Sequence, residues 1–180
     1  MRSILWVLII AVLSGCSLFK GQSNQPVPPL AWLAPEQGPY PSLLKQKLTL
    51  TAYGHTKEMI AVTRLSKDRV SMVGLTPTGQ TVVQIHYAAN GFQSTPPASP
   101  QLPSDAILSL LQWALWPEAA LREAYPEQEG WRLAITPDQR NLFYRHRPVL
   151  SLRQIDVQTI EIDHLSAGYT VRIEPLESSQ

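Results

Sequence analysis

The chain has 180 residues, 44% hydrophobic and 16% charged, which bounds it to one ordinary globular domain, or one domain plus tails. Fifteen Lys and Arg stand against fourteen Asp and Glu, so charge offers no general case for nucleic acid or an acidic surface. The single cysteine excludes an internal disulfide and a cysteine-rich metal site.

At the amino terminus, Arg2 is a minimal positive leader region and Ile4 to Leu13 (ILWVLIIAVL) is an uninterrupted apolar run. That run falls short of the ~20 residues that span a bilayer, but it suits a secretory signal. Ser14, Gly15 and Cys16 follow, and the stretch LSGC resembles the bacterial lipobox. The resemblance implies a lipoprotein signal peptide at 1–15, diacylglycerol on the Cys16 sulfur, and acylation of the new amine, with palmitate expected. Several acyl chains anchor stably, because each buried methylene contributes ~0.8 kcal/mol. Removal of Arg2 with the leader leaves a formally neutral chain. Ser17 stands where lipoproteins retained in the inner membrane tend to carry aspartate. The lipoprotein resemblance thus implies the outer membrane, with the domain facing the periplasm.

Residues 16–41 read as a lipidated cysteine followed by a Pro-rich tether, with Trp32 and Leu33 able to dock on the body. Ser42 to Lys47 reads as one helical turn. Four strand-like runs follow: Leu48 to Tyr53, Lys57 to Leu65, Arg69 to Leu75 and Gln80 to Tyr87. Tight turns join them, including Lys67-Asp68 and Thr76-Pro77-Thr78-Gly79, and no helical crossover intervenes, so the sheet is antiparallel. Ala89 to Pro103 reads as a loop because of its Pro and Gly.

A helical insert is expected at about 104–124. Ser104 or Asp105 caps a helix to about Trp116, with Ile107, Leu110, Leu111 and Ala114 on one face at i, i+3, i+4, i+7. Leu108, Leu115 and Trp116 cover its flank, so a helix this apolar must be covered on more than one side. Pro117 starts a second helix, from Glu118 to about Ala124. Five further strands follow: Trp131 to Thr136, Arg140 to His146, Val149 to Ile155, Thr159 to Leu165 and Tyr169 to Glu174. The turns between them are Pro137-Asp138, Arg147-Pro148, Asp156-Val157 and Ala167-Gly168. The expected class is α+β. It is a curved antiparallel sheet of about nine strands over residues 42–180, an open half-barrel with the apolar helix as lid or core.

No nucleophile elbow, zinc-binding helix motif or phosphate-binding glycine loop occurs, so neither an enzyme nor a cofactor is expected. A convergent Ser, His and Asp in a cleft would revive an envelope enzyme acting on a lipid or ester. His55, His86, His146 and His164 lie on separate elements without metal-ligand spacing. Asp105, Glu118, Glu123, Glu127 and Glu129 flank helices, where capping and solvation account for them. Arg140, Arg145, Arg147 and Arg153, with Phe143, Tyr144 and His146, form a basic and aromatic cluster that reads as outward strand positions. Arg145 and Arg153 are its candidates for an anionic headgroup. The apolar helix reads either as ordinary core or as the wall of a lipid-sized cavity, since both use the same residues. The cavity candidates are Ile107, Leu110, Leu111, Ala114, Leu115, Trp131 and Leu133.

The order of elements, with LTLTAY, the Arg69 to Leu75 strand, the Thr-Pro-Thr-Gly turn, QTVVQI and SLLQWAL, resembles the outer-membrane lipoprotein receptor LolB and its periplasmic partner LolA. It is more similar still to small lipoproteins of that fold encoded among aryl polyene biosynthesis genes. The resemblance implies a curved half-barrel with a helical lid and an interior that accepts acyl chains. LolB inserts a protruding leucine from the hairpin between its third and fourth strands. Here the matching turn, Thr76 to Gly79, has no apolar tip. The expected function is therefore binding or transfer of a dedicated hydrophobic envelope molecule: an acyl or aryl polyene lipid, or a lipidated cargo. The alternative is an accessory subunit that docks an envelope transporter or biosynthetic complex.

Overall fold

A computed structural model describes residues 26–95 and 104–176. Cys16, the 1–15 leader and residues 17–25 of the tether lie outside the described residues.

Ten strands form one antiparallel sheet: β1 (Ser42–Ala52), β2 (His55–Leu65), β3 (Arg69–Leu75), β4 (Thr81–Ala88), β5 (Gly91–Thr95), β6 (Trp131–Thr136), β7 (Gln139–Tyr144), β8 (Arg147–Gln154), β9 (Ile160–His164) and β10 (Tyr169–Pro175). Two helices, α1 (Ser104–Leu115) and α2 (Glu118–Ala124), lie between β5 and β6. The spatial order is β5-β4-β3-β2-β1-β10-β9-β8-β7-β6. Each half of the chain is thus a five-stranded meander, and the two join where β1 pairs with β10. The connection from β5 to β6 must pass from one edge of the sheet to the other. It crosses the concave face, which is why the apolar helix sits there.

The fold is α+β, a curved open half-barrel with a helical insert, as expected, but with ten strands rather than about nine. The added strand is β5, inside the stretch read as a loop. Its residues are mostly exposed, so no apolar alternation marks it, and backbone pairing with β4 alone defines it. Ser42 to Lys47 is extended, not a helical turn. It forms the first half of a central strand, paired to β2 on one side and reaching β10 at Gln46 on the other. The β7–β8 turn is Arg145-His146, both at positive φ, and not Arg147-Pro148. Pro148 enters β8 at the register shift between Leu142 and Phe143, a bulge position where a missing N–H is tolerated.

Register places one residue set on the concave side across β2, β1, β10, β9 and β8. Leu48 faces Met59 and Ile173, Leu50 faces Val171, Val171 faces Ile162, and Ile162 faces Leu152. The opposite face is wet and charged, as the alternation in β10 implies. Lys47 bonds Glu174 at 3.0 Å, and Arg153 bonds Glu161 at 2.6 Å.

Trp32 and Leu33 dock on the body, as expected of this stretch of the tether, and its described part forms a strap over α1. Leu33 is 2% exposed. Its N–H donates to Gln112 Oε1 (2.9 Å), and its carbonyl accepts from Gln112 Nε2 (2.6 Å). Trp116 Nε1 donates to the Ala34 carbonyl at 3.0 Å, and Gly38 approaches the same indole so closely that a Cβ would stand 2.7 Å from its ring. Trp32 rests against Tyr87 and Phe92. The strap explains how an almost wholly apolar helix stays dry on both sides, with sheet beneath and strap above. It also explains Gln112, a fully buried polar residue in that helix.

Candidate functional site

The helix α1 does not fill the concave face. Between it and β1, β2, β3, β4 and β10 lies a cavity of about 340 Å³. This is at the low end of the ~300–1,000 Å³ typical of small-molecule sites. Its walls are Leu48, Leu50, Met59, Met72, Val83 and Ile173 of the sheet, with Ile107, Leu110 and Leu111 of α1 as the roof. Gly74 lies on the same face between Met59 and Val83, and its missing side chain gives the Met59 thioether its place. The polar groups are few. Gln46 and Thr63 lie on the wall, and the Thr63 hydroxyl is buried with no hydrogen-bond partner among the described residues.

The exposed members of the lining, Lys57 and Glu58, mark the mouth. They sit near the start of β2, beside the end of β3 at Thr76 and the start of β4 at Val82. The interior is thus apolar and the mouth carries charged side chains.

Of the residues chosen from sequence, Ile107, Leu110 and Leu111 line this cavity, whereas Ala114, Leu115, Trp131 and Leu133 do not. Trp131 and Leu133 belong to the far meander, where Trp131 meets Tyr125 edge-on and Tyr144 at a tilt in a buried aromatic cluster. Ala114 and Leu115 pack against the core near the end of α1. Neither headgroup candidate lines the cavity. Arg153 faces the outer surface, paired to Glu161 and Asp163. Arg145 lies in the β7–β8 turn, its guanidinium 5.4 Å from the Tyr144 ring centroid. The missed residues Leu48, Leu50, Met59 and Val83 alternate along their strands. That alternation marks the concave face but not which part of it is hollow.

Arg140 is turned inward, contrary to the outward position read from its cluster. Its Nη1 donates to the carbonyls of Trp113 (2.9 Å) and Trp116 (2.8 Å), closing the end of α1. Burial lowers its pKa and Glu118 opposes that shift, while a cation at a helix carboxyl end is favourable. At the other end of α1, the Ser104 and Ser94 hydroxyls are 2.7 Å apart and tie the helix to β5. Tyr125 is almost dry, and burial pushes its phenol strongly upward against a backbone hydrogen bond with Ala31 of the strap. Burial, and then Asp105, likewise push the Tyr169 phenol up.

No helix among the described residues is long and apolar enough to cross a membrane. The family described as "protein of unknown function (DUF3261)" matches residues 43–177, and the chain belongs to that family. No curated protein matches the chain.

Proposed function

We propose that this DUF3261 member is a non-enzymatic lipoprotein, anchored through lipidated Cys16 in the outer membrane. There it binds or hands over a hydrophobic envelope molecule, either an acyl or aryl polyene lipid or a lipidated cargo. The observation that carries this reading is the open, apolar cavity between the sheet and α1. An apolar occupant makes dispersion contacts with these walls and leaves water, so its binding stabilises the protein. Burying its apolar surface contributes ~25 cal/mol per Å² before ordering costs. The curved sheet with a helix across its concave side is also the arrangement that the resemblance to LolA and LolB implies. The mouth is flanked by the turn Thr76 to Gly79, which offers no leucine to a bilayer. This favours a dedicated cargo over general lipoprotein insertion.

Native mass spectrometry of the chain after gentle extraction tests the reading. Co-purifying or titratable lipid at one equivalent is expected, and an interior that takes up none refutes it.

A second reading, an accessory subunit docking an envelope complex, is favoured by a different patch. Leu43 is 56% exposed, Val157 89%, Ile155 46% and Leu176 37%. They stand at the end of the sheet away from the cavity mouth, on β1, the β8–β9 turn and the residue after β10. Pull-down of a stable envelope partner that is lost on Val157→Asp would support it.

A further inference from the structure

We infer that Gln112 and Arg140 are positioning residues that hold α1 off the sheet and thereby set how long an apolar chain the cavity accepts. The inference rests on the ligand reading above and says what governs the capacity of that site.

Across the cavity, Ile107, Leu110 and Leu111 of α1 face the apolar wall of the sheet, an arrangement that favours closer approach of the helix to the sheet. Three polar fasteners resist it. Gln112 projects from the helix into the strap and pairs with both backbone groups of Leu33. Arg140 rises from β7 and grips two carbonyls at the end of the helix. Ser104 meets Ser94 at its start. The first two are directional and buried or half-buried, and neither touches the cavity. Sliding or sinking the helix would break them and leave desolvated groups unpaired. Trp116 and Gly38 add a steric stop on the strap side, because the indole already sits where a Cβ at Gly38 would be. The roof height is therefore fixed from outside the cavity, by residues that never meet the occupant.

The test uses the full chain in mild detergent and a fluorescent tetraene fatty acid of eighteen carbons, displaced by saturated fatty acids of ten to eighteen carbons. Titrations are done below the onset of unfolding, with the folded fraction read by near-ultraviolet circular dichroism. For the wild type, affinity should rise with chain length. In Gln112→Met and Arg140→Met the rise should stop early. Loss of depth equivalent to two methylenes lowers affinity for the longest chain about tenfold, while the shortest is little affected. Arg140→Lys, which restores a donor to the helix carbonyls, should recover much of the profile. A merely structural role would lower the melting temperature of Arg140→Met without changing the chain-length profile of the folded protein, and that result overturns the inference. The Arg140 pair carries the test whether or not Gln112→Met folds. A wild-type chain that takes up no probe overturns the ligand reading itself, and this inference with it.

Discussion

Replacing Gln112 by methionine keeps the length of the side chain and removes both of its hydrogen bonds. Gln112 is fully buried and Leu33 is 2% exposed, so water does not replace the lost partners. Two backbone groups of Leu33 are then orphaned, at a cost of about 1–3 kcal/mol each. The more apolar methionine returns part of this, ~1 kcal/mol, leaving a net loss of roughly 1–5 kcal/mol, centred near 3 kcal/mol. For a domain of this size the loss corresponds to a fall in melting temperature of roughly 5–15 °C. Urea unfolding should show a lower midpoint with an unchanged slope, since the surface exposed on unfolding barely changes. Amide exchange at Leu33 should accelerate before that of the strands, because the strap opens first. A loss below ~1 kcal/mol together with unaltered exchange at Leu33 would refute the clamp, since no buried group would then have been orphaned.

Gly38→Ala, at a φ that any residue adopts, puts its methyl into the Trp116 ring and should cost about 1–3 kcal/mol in a thermal melt, with altered Trp emission. Leu48→Trp, which fills the cavity, should abolish probe uptake while the protein stays folded. Leu133→Ala, outside the lining, should cost about 2–5 kcal/mol of stability and leave uptake by the folded protein unchanged in titration. His164 lies against Tyr169, and burial holds its pKa below the ordinary 6.5. A base kept neutral by the fold contributes stability that is fully present above its unfolded value and is lost as pH falls through 6.5 toward the folded value. Melts between about pH 7.5 and pH 5 should show that loss, and His164→Gln should flatten it. Cys16→Ser should move the chain from the membrane to the soluble fraction, and unchanged membrane fractionation would remove the anchor from the proposal.

Strands with one wet and one dry face were legible because their period is two. Trp131 to Thr136 and Arg69 to Leu75 coincide with β6 and β3, and Tyr169 to Glu174 agrees with β10 to within a residue. The period of α1 was equally clear from Ile107, Leu110, Leu111 and Ala114. The misread segments lacked such a pattern. Ser42 to Lys47 is strand because two partners flank it, and Gly91 to Thr95 because it adds to an edge. In both cases remote backbone overrides local composition. From sequence, no local pattern marks Gln112, and Arg140 reads as one member of an outward cluster. Their partners lie 79 and 24–27 residues away, beyond any local spacing rule.

Sequence by itself determined the class of structure: an antiparallel α+β body, two meanders and an apolar helix between them that had to be covered. These follow from side-chain periodicity and turn chemistry, which are local. Only the tertiary structure decided that β1 closes on β10, that the Pro-rich segment straps the helix, and that the space under α1 is hollow rather than filled. The same aliphatic residues serve a packed core and an open cavity. The difference lies in the height of the helix above the sheet, and that height is set by hydrogen bonds between segments far apart in the chain.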